Sequence, residues 1–125
     1  MNAKVGQLCI NVINLERSIA FYEALGLKVT MRLEIPDAYE AILAGADSAM
    51  LQLAQQKNQS GPIDHGNALY KFYINSDDCA ATFKAALAAG AKAQTEPQVL
   101  TEWQCTVAFI EDLDGYKVEI VGPLK

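Results

Sequence analysis

The side chains able to do chemistry in this chain recur at alternate positions along strand-like segments. Gln7, Cys9 and Asn11 alternate with Leu8, Ile10 and Val12, and Lys71, Tyr73 and Asn75 alternate with Tyr70, Phe72 and Ile74. Lys117 and Glu119 alternate in the same way with Val118 and Ile120. A period of two puts each set on one face of a strand, so every such strand has an apolar and a polar side. The polar side offers amide donors and acceptors, ammoniums with three donors and no lone pair, and a carboxylate.

Other chemistries have thinner support. Cys9 and Cys105 are the candidate nucleophiles, Cys9 because it shares a face with Gln7 and Asn11 and a nearby Lys71 would lower its pKa. A buried, inert thiol is the simpler reading. The three cysteines, Cys9, Cys79 and Cys105, are odd in number and lack CxxC spacing, which points away from a disulfide framework or a zinc ribbon. The lone histidine, His65, sits in a polar stretch and reads as surface. Trp103 lies in a loop-like stretch, where an indole either covers a binding site or simply packs. Neither GxSxG, a P-loop nor GxGxxG occurs, and Gly61-Pro62, Asp114-Gly115 and Gly122-Pro123 read as turns.

The elements that must position these residues come twice. After the first strand, Asn14 can cap a helix with Leu15, Ile19, Tyr22 and Leu25 on one stripe and Gly26 at its end. After the second, Asp78 can cap, Cys79, Phe83 and Ala86 form the stripe, and Gly90 stops it. An offset of 64 pairs Gln7 with Lys71, Asn11 with Asn75, Ile19 with Phe83 and Gly26 with Gly90. Strand-like segments follow each helix: 27–35, 38–44 and 49–54, then 91–96, 104–110 and 116–121. Each half therefore reads βαβββ, an α+β arrangement of modules 1–54 and 67–125 joined by a polar, turn-rich linker 55–66. Asp112-Leu113-Asp114-Gly115 predicts a tight turn before the last strand.

At 125 residues, 51% apolar and 20% charged, the chain suits one globular domain. The net charge of −5 and the scattered basic residues leave no footprint for nucleic acid. Its apolar runs fall well short of the ~20 residues that span a bilayer, and the start, Met1-Asn2-Ala3-Lys4, lacks a signal-peptide pattern. A cytoplasmic protein with no membrane partner is expected.

Paired βαβββ modules, the segment from Asn14 to Leu27 and the segment from Ala108 to Pro123 together resemble the vicinal-oxygen-chelate superfamily of glyoxalases, bleomycin-resistance proteins and extradiol dioxygenases. Asp112, Asp114-Gly115 and Glu119 stand in the family's DPDGxxxE pattern, with Leu113 in the proline place. The resemblance implies that the two sheets curl into a half-barrel cleft, helices outside, with ligand and usually a divalent metal within. Gln7, Cys9, Asn11, Gln52, Lys71, Tyr73, Asn75, Lys117 and Glu119 would line it, unless that sheet face is simply solvated. It also implies a homodimer, since many such proteins complete their sheets or clefts with a second chain.

In proteins similar to lactoylglutathione lyase the metal ligands are His or Gln, Glu, His and Glu. The matching positions here are Gln7, Gln52, Lys71 and Glu119. Gln52 lacks the carboxylate, and Lys71 places an ammonium where a neutral imidazole is wanted. Lys71 either sits against Glu119 and the two glutamine carbonyls as an internal cation, or snorkels to solvent. The dioxygenases need two histidines and a glutamate, which a chain with only His65 cannot supply. The expected function is metal-independent binding of a small organic ligand by Gln7, Cys9, Asn11, Gln52, Lys71, Tyr73, Trp103 and Glu119, with no cofactor. The alternative is a glyoxalase-type lyase or isomerase with an atypical metal site, or a metal-free one that uses Glu119 and Lys71.

Overall fold

A computed structural model describes residues 1–46 and 49–124, which fall into two compact units, Met1–Ile63 and Asp64–Lys125. In the first unit β1 (Leu8–Asn11), α1 (Leu15–Ala24), β2 (Lys28–Ile35), β3 (Ala38–Ala44) and β4 (Met50–Gln56) follow in sequence. The sheet order is β1-β4-β3-β2, with β1 parallel to β4 and the other pairs antiparallel. Two side chains start the helix. Asn14 accepts from the Arg17 amide at 3.0 Å and Gln55 accepts from the Leu15 amide at 2.7 Å, meeting amide donors that the helix itself cannot. The predicted stripe is buried at Leu15, Ile19 and Tyr22, and Phe21 joins it, edge-on to Tyr22 at 4.9 Å between ring centroids.

The second unit repeats the module as β5 (Phe72–Asn75), α2 (Cys79–Ala88), β6 (Lys92–Leu100), β7 (Cys105–Glu111) and β8 (Lys117–Pro123), in sheet order β5-β8-β7-β6. Asp78 caps α2 by accepting from the Ala81 amide at 3.0 Å. In both units the apolar face of the sheet packs under the helix: Ile10, Leu43 and Leu53 in the first, Ile110, Val118 and Ile120 in the second, all nearly inaccessible. Each burial of this kind contributes roughly 1.5–3 kcal/mol. No helix of the described residues is long and apolar enough to cross a membrane.

The motif Asp112-Leu113-Asp114-Gly115 forms the tight turn before β8. The Asp112 carboxylate is buried and one of its oxygens accepts from the amides of Asp114 and Tyr116, both at 2.9 Å. Gly115 sits at φ +91°, where a side chain would be strained and its Cβ would lie 3.0 Å from Nε2 of His65. His65 is exposed, as its polar stretch suggests, but it is not idle. Its Nε2–H donates to the Asp114 carbonyl at 2.8 Å, and its ring stands edge-on to Tyr116 at 4.6 Å.

Three sequence expectations need correction. The offset of 64 holds only from β1 to the start of β2; after that Ala38 answers Cys105 and Met50 answers Lys117, an offset of 67. The second module carries a longer edge strand and a longer turn before its third strand. β6 runs past the expected end at Glu96 and through Pro97 to Leu100. Proline is tolerated there because β6 is an edge strand and its register with β7 shifts between Thr95 and Gln98. β4 likewise continues beyond Ala54 to Gln56, paired with Ala38.

Candidate functional site

On the polar face of the first unit, β1 and β4 lie side by side with Cys9 opposite Gln52 and Asn11 opposite Ala54. Nε2 of Gln7 donates to Oε1 of Gln52 at 3.1 Å, and Nε2 of Gln56 donates to Oδ1 of Asn11 at 3.0 Å. Gln7, Cys9 and Asn11 are exposed and Gln52 is half-buried. This is a row of neutral amides already paired within the row. Desolvation pushes the Cys9 thiol above its ordinary range, and the Glu40 carboxylate pushes it further in the same direction. This favours the inert reading of Cys9 over the activated one, because a thiol held protonated is a poor nucleophile, but the residue is exposed rather than buried.

The charged chemistry is in the second unit. Register places Tyr73 opposite Glu119 across the parallel β5–β8 pair, and Glu119 opposite Phe109 across β8–β7. Lys71, just before β5, turns onto this group. Its Nζ donates to Oε1 of Glu119 at 2.5 Å, with the two side chains only 16% and 12% exposed. The same ammonium stands 4.9 Å from the Tyr70 ring centroid, 5.1 Å from Tyr73 and 5.2 Å from Phe109. Nζ of Lys117 lies 5.0 Å from both Tyr70 and Phe109. Hydrogen bonding to Glu119 holds the Lys71 pKa above its ordinary value despite desolvation, with Tyr73 adding to the effect.

Of the two readings of Lys71, the internal cation is the one observed. It is satisfied by Glu119 and aromatic faces, which attract cations through their ring quadrupoles. Gln7 and Gln52 are hydrogen-bonded to each other. Among the expected residues the structure thus brings together Gln7 with Gln52, and Lys71 with Tyr73 and Glu119. Trp103 stands apart, 72% exposed in the β6–β7 turn, beside the end of β8 opposite to Lys117. Six residues of strand separate them, about 20 Å.

Tyr70 and Phe109 were not foreseen. Strict alternation assigned Tyr70 to the apolar face with Phe72, but regular pairing begins only at Phe72 and leaves Tyr70 71% exposed. Phe109 enters through cross-strand register with Glu119, which no local pattern encodes. A separate pocket of about 460 Å³ in the first unit, at Arg32, Tyr39 and Gln55, contains none of the expected site residues. Arg32 is occupied there by Glu16 at 2.6 and 3.0 Å.

The donors do not suit a divalent metal. At the four positions that the resemblance marks as ligands, Glu119 is the one carboxylate, and its Oε1 accepts from an ammonium that would repel the ion. Gln7 and Gln52 offer weakly donating amides engaged with each other. Among the described residues, no three His, Cys, Asp or Glu side chains gather in a way that would hold a metal ion.

Comparison with known proteins decides the family. Residues 4–120 match the Glyoxalase/Bleomycin resistance protein/Dioxygenase superfamily. Lactoylglutathione lyase of Haemophilus influenzae is 32% identical over 119 residues, covering 90% of this chain and 87% of that protein. The chain belongs to this superfamily. The superfamily fold extends to solved structures: glyoxalase I from Zea mays superposes with a TM-score of 0.81 at 31% identity, over 93% of this chain. This chain spans 44% of that maize protein. A glyoxalase family protein from Bacillus cereus, 18% identical, matches with a TM-score of 0.85 over the whole of this chain and 97% of its own. The superfamily's DPDGxxxE pattern is met here with its two aspartates and glycine in the turn and its glutamate in an ion pair.

Proposed function

We propose that this superfamily member is a cytoplasmic protein that binds a small organic ligand without a divalent metal. The observation that carries the reading is the Lys71–Glu119 ion pair at 2.5 Å, at two positions where the superfamily resemblance calls for metal ligands. A lysine ammonium is a covalently tethered cation. It supplies the positive charge that keeps Glu119 satisfied in a poorly solvated setting, where leaving a carboxylate unpaired is costly. The polar faces bearing Gln7, Cys9, Asn11 and Gln52, and Lys71, Tyr73 and Glu119, are the proposed binding surfaces. A homodimer is part of the same proposal: each sheet has two edge strands, β1 and β2 in the first, β5 and β6 in the second, and a second chain would cover such edges.

A second reading has its own support in the 32% identity to the Haemophilus lactoylglutathione lyase. Under it the protein is a lyase in which Glu119 acts as base and Lys71 stabilises developing negative charge. Elemental analysis of purified protein, thermal-shift titration with nickel and zinc, and an assay for turnover of lactoylglutathione separate the two. The binding reading expects far less than one metal ion per chain, no shift with either metal and no turnover. Turnover, with or without one tightly held ion per chain, would replace it by the lyase.

A further inference from the structure

The second unit's polar face holds more positive charge than its carboxylates neutralise at close range. Lys71 is matched by Glu119. Lys117, on the same face, forms no ion pair among the described residues. Its cross-strand neighbour in the β7–β8 ladder is Glu111, and Lys92 follows on β6. Instead of closing on Glu111, the Lys117 ammonium lies over Tyr70 and Phe109 at 5.0 Å each, the two rings that Lys71 also approaches. Two ammoniums therefore share the electron-rich faces of one pair of rings, and only that of Lys71 is paired with a carboxylate among the described residues. Like charges so placed repel, and a further cation would meet both.

The same place offers apolar surface. Tyr70 and Tyr73 are 71% and 54% exposed, so their rings flank the ammoniums and remain open to solvent. An open aromatic surface beside an unneutralised ammonium suits a molecule with one flat apolar part and one negative group. We propose that this face binds an organic carboxylate with a flat, ring-bearing body, its carboxylate on Lys117 and its ring against Tyr70 and Tyr73. The inference rests on the ligand-binding reading above and adds the charge and shape of the ligand. Lys71 takes no carboxylate in this arrangement beyond Glu119.

The test uses three probes of one size, benzoate, benzyl alcohol and benzylammonium, titrated into the wild-type protein and followed by saturation-transfer NMR and calorimetry. Benzoate is expected to bind at least about tenfold more tightly than benzyl alcohol, a difference of about 1.4 kcal/mol, with benzylammonium weakest. Added salt should weaken benzoate and leave benzyl alcohol unchanged. Lys117→Gln should remove the benzoate preference, Lys117→Arg should retain it, and Tyr70→Ala should weaken benzoate and benzyl alcohol alike. Melting temperatures of the three variants establish that they fold. Equal affinities for the three probes, or a benzoate preference that survives Lys117→Gln, would overturn the carboxylate assignment while leaving ligand binding in place. Binding of none of the three would overturn this assignment, and the broader reading would then fall or stand on its own metal and turnover experiment.

Discussion

Replacing Asp112 by alanine separates a structural role for the superfamily motif from a chemical one. One buried carboxylate oxygen accepts from the Asp114 and Tyr116 amides, both at 2.9 Å, and so holds the turn that launches β8. Hydrogen bonds to a charged acceptor contribute about 1.5–3 kcal/mol each, and the low end applies because the two amides share one oxygen, giving a loss of about 3 kcal/mol. For a chain of this size that corresponds to a fall of about 10 °C in melting temperature. Asp112→Asn keeps an acceptor oxygen for the two amides while it loses the charge and exchanges the other oxygen for an amide nitrogen, so its fall should be smaller. Differential scanning calorimetry of the three proteins measures this directly. Benzoate affinity, measured well below the transition, should be unchanged in both variants, because Asp112 points into the turn. An alanine variant that melts within about 2 °C of wild type would refute the turn argument, and one that keeps its melting point but loses ligand binding would make Asp112 part of the site.

The Lys71–Glu119 pair predicts a pH dependence of defined sign. Because folding raises the Lys71 pKa above its ordinary 10.5, the pair's contribution is complete below that value and is lost as pH rises through the folded one. Urea denaturation should therefore show a gap between wild type and Lys71→Met that is constant through neutral pH and, as pH is raised, narrows in the strongly alkaline range; narrowing near neutrality would contradict it. Gly115→Ala should cost about 1–2 kcal/mol, from the positive φ and the approach to His65. Adding His65→Ala should relieve part of that cost, and strict additivity in a double-mutant cycle would show that the two do not touch. Cys9 should alkylate at neutral pH more slowly than an unhindered thiol, and Glu40→Gln should speed it, since the carboxylate helps to keep the thiol protonated. Sedimentation velocity at micromolar concentration should find two chains per particle, and a monomer throughout would end the dimer proposal.

Much of the architecture was legible because it is written locally. Period-two alternation marks the strands and their two faces, the Asn14 and Asp78 caps start the helices, and Gly26 and Gly90 end them at φ +106° and +110°. These signals act within a few residues, so the chain alone determines a βαβββ module made twice, and the pattern from Asp112 to Glu119 identifies the superfamily. The choice of partners was not local. Lys71 and Glu119 are 48 residues apart in sequence, as Gln7 and Gln52 are 45 apart. They meet because parallel strands β5 and β8, and β1 and β4, settle in one particular register, fixed by which apolar side chains fit beneath each helix. Sequence left Lys71 divided between a buried ion pair and solvent, because both keep its ammonium satisfied. Only the ladder that sets Glu119, Tyr73 and Phe109 around it decided between them. The same long-range pairing recruits Tyr70 and Phe109 to the site, allows Pro97 in an edge strand, and leaves Trp103 at the far end of the sheet.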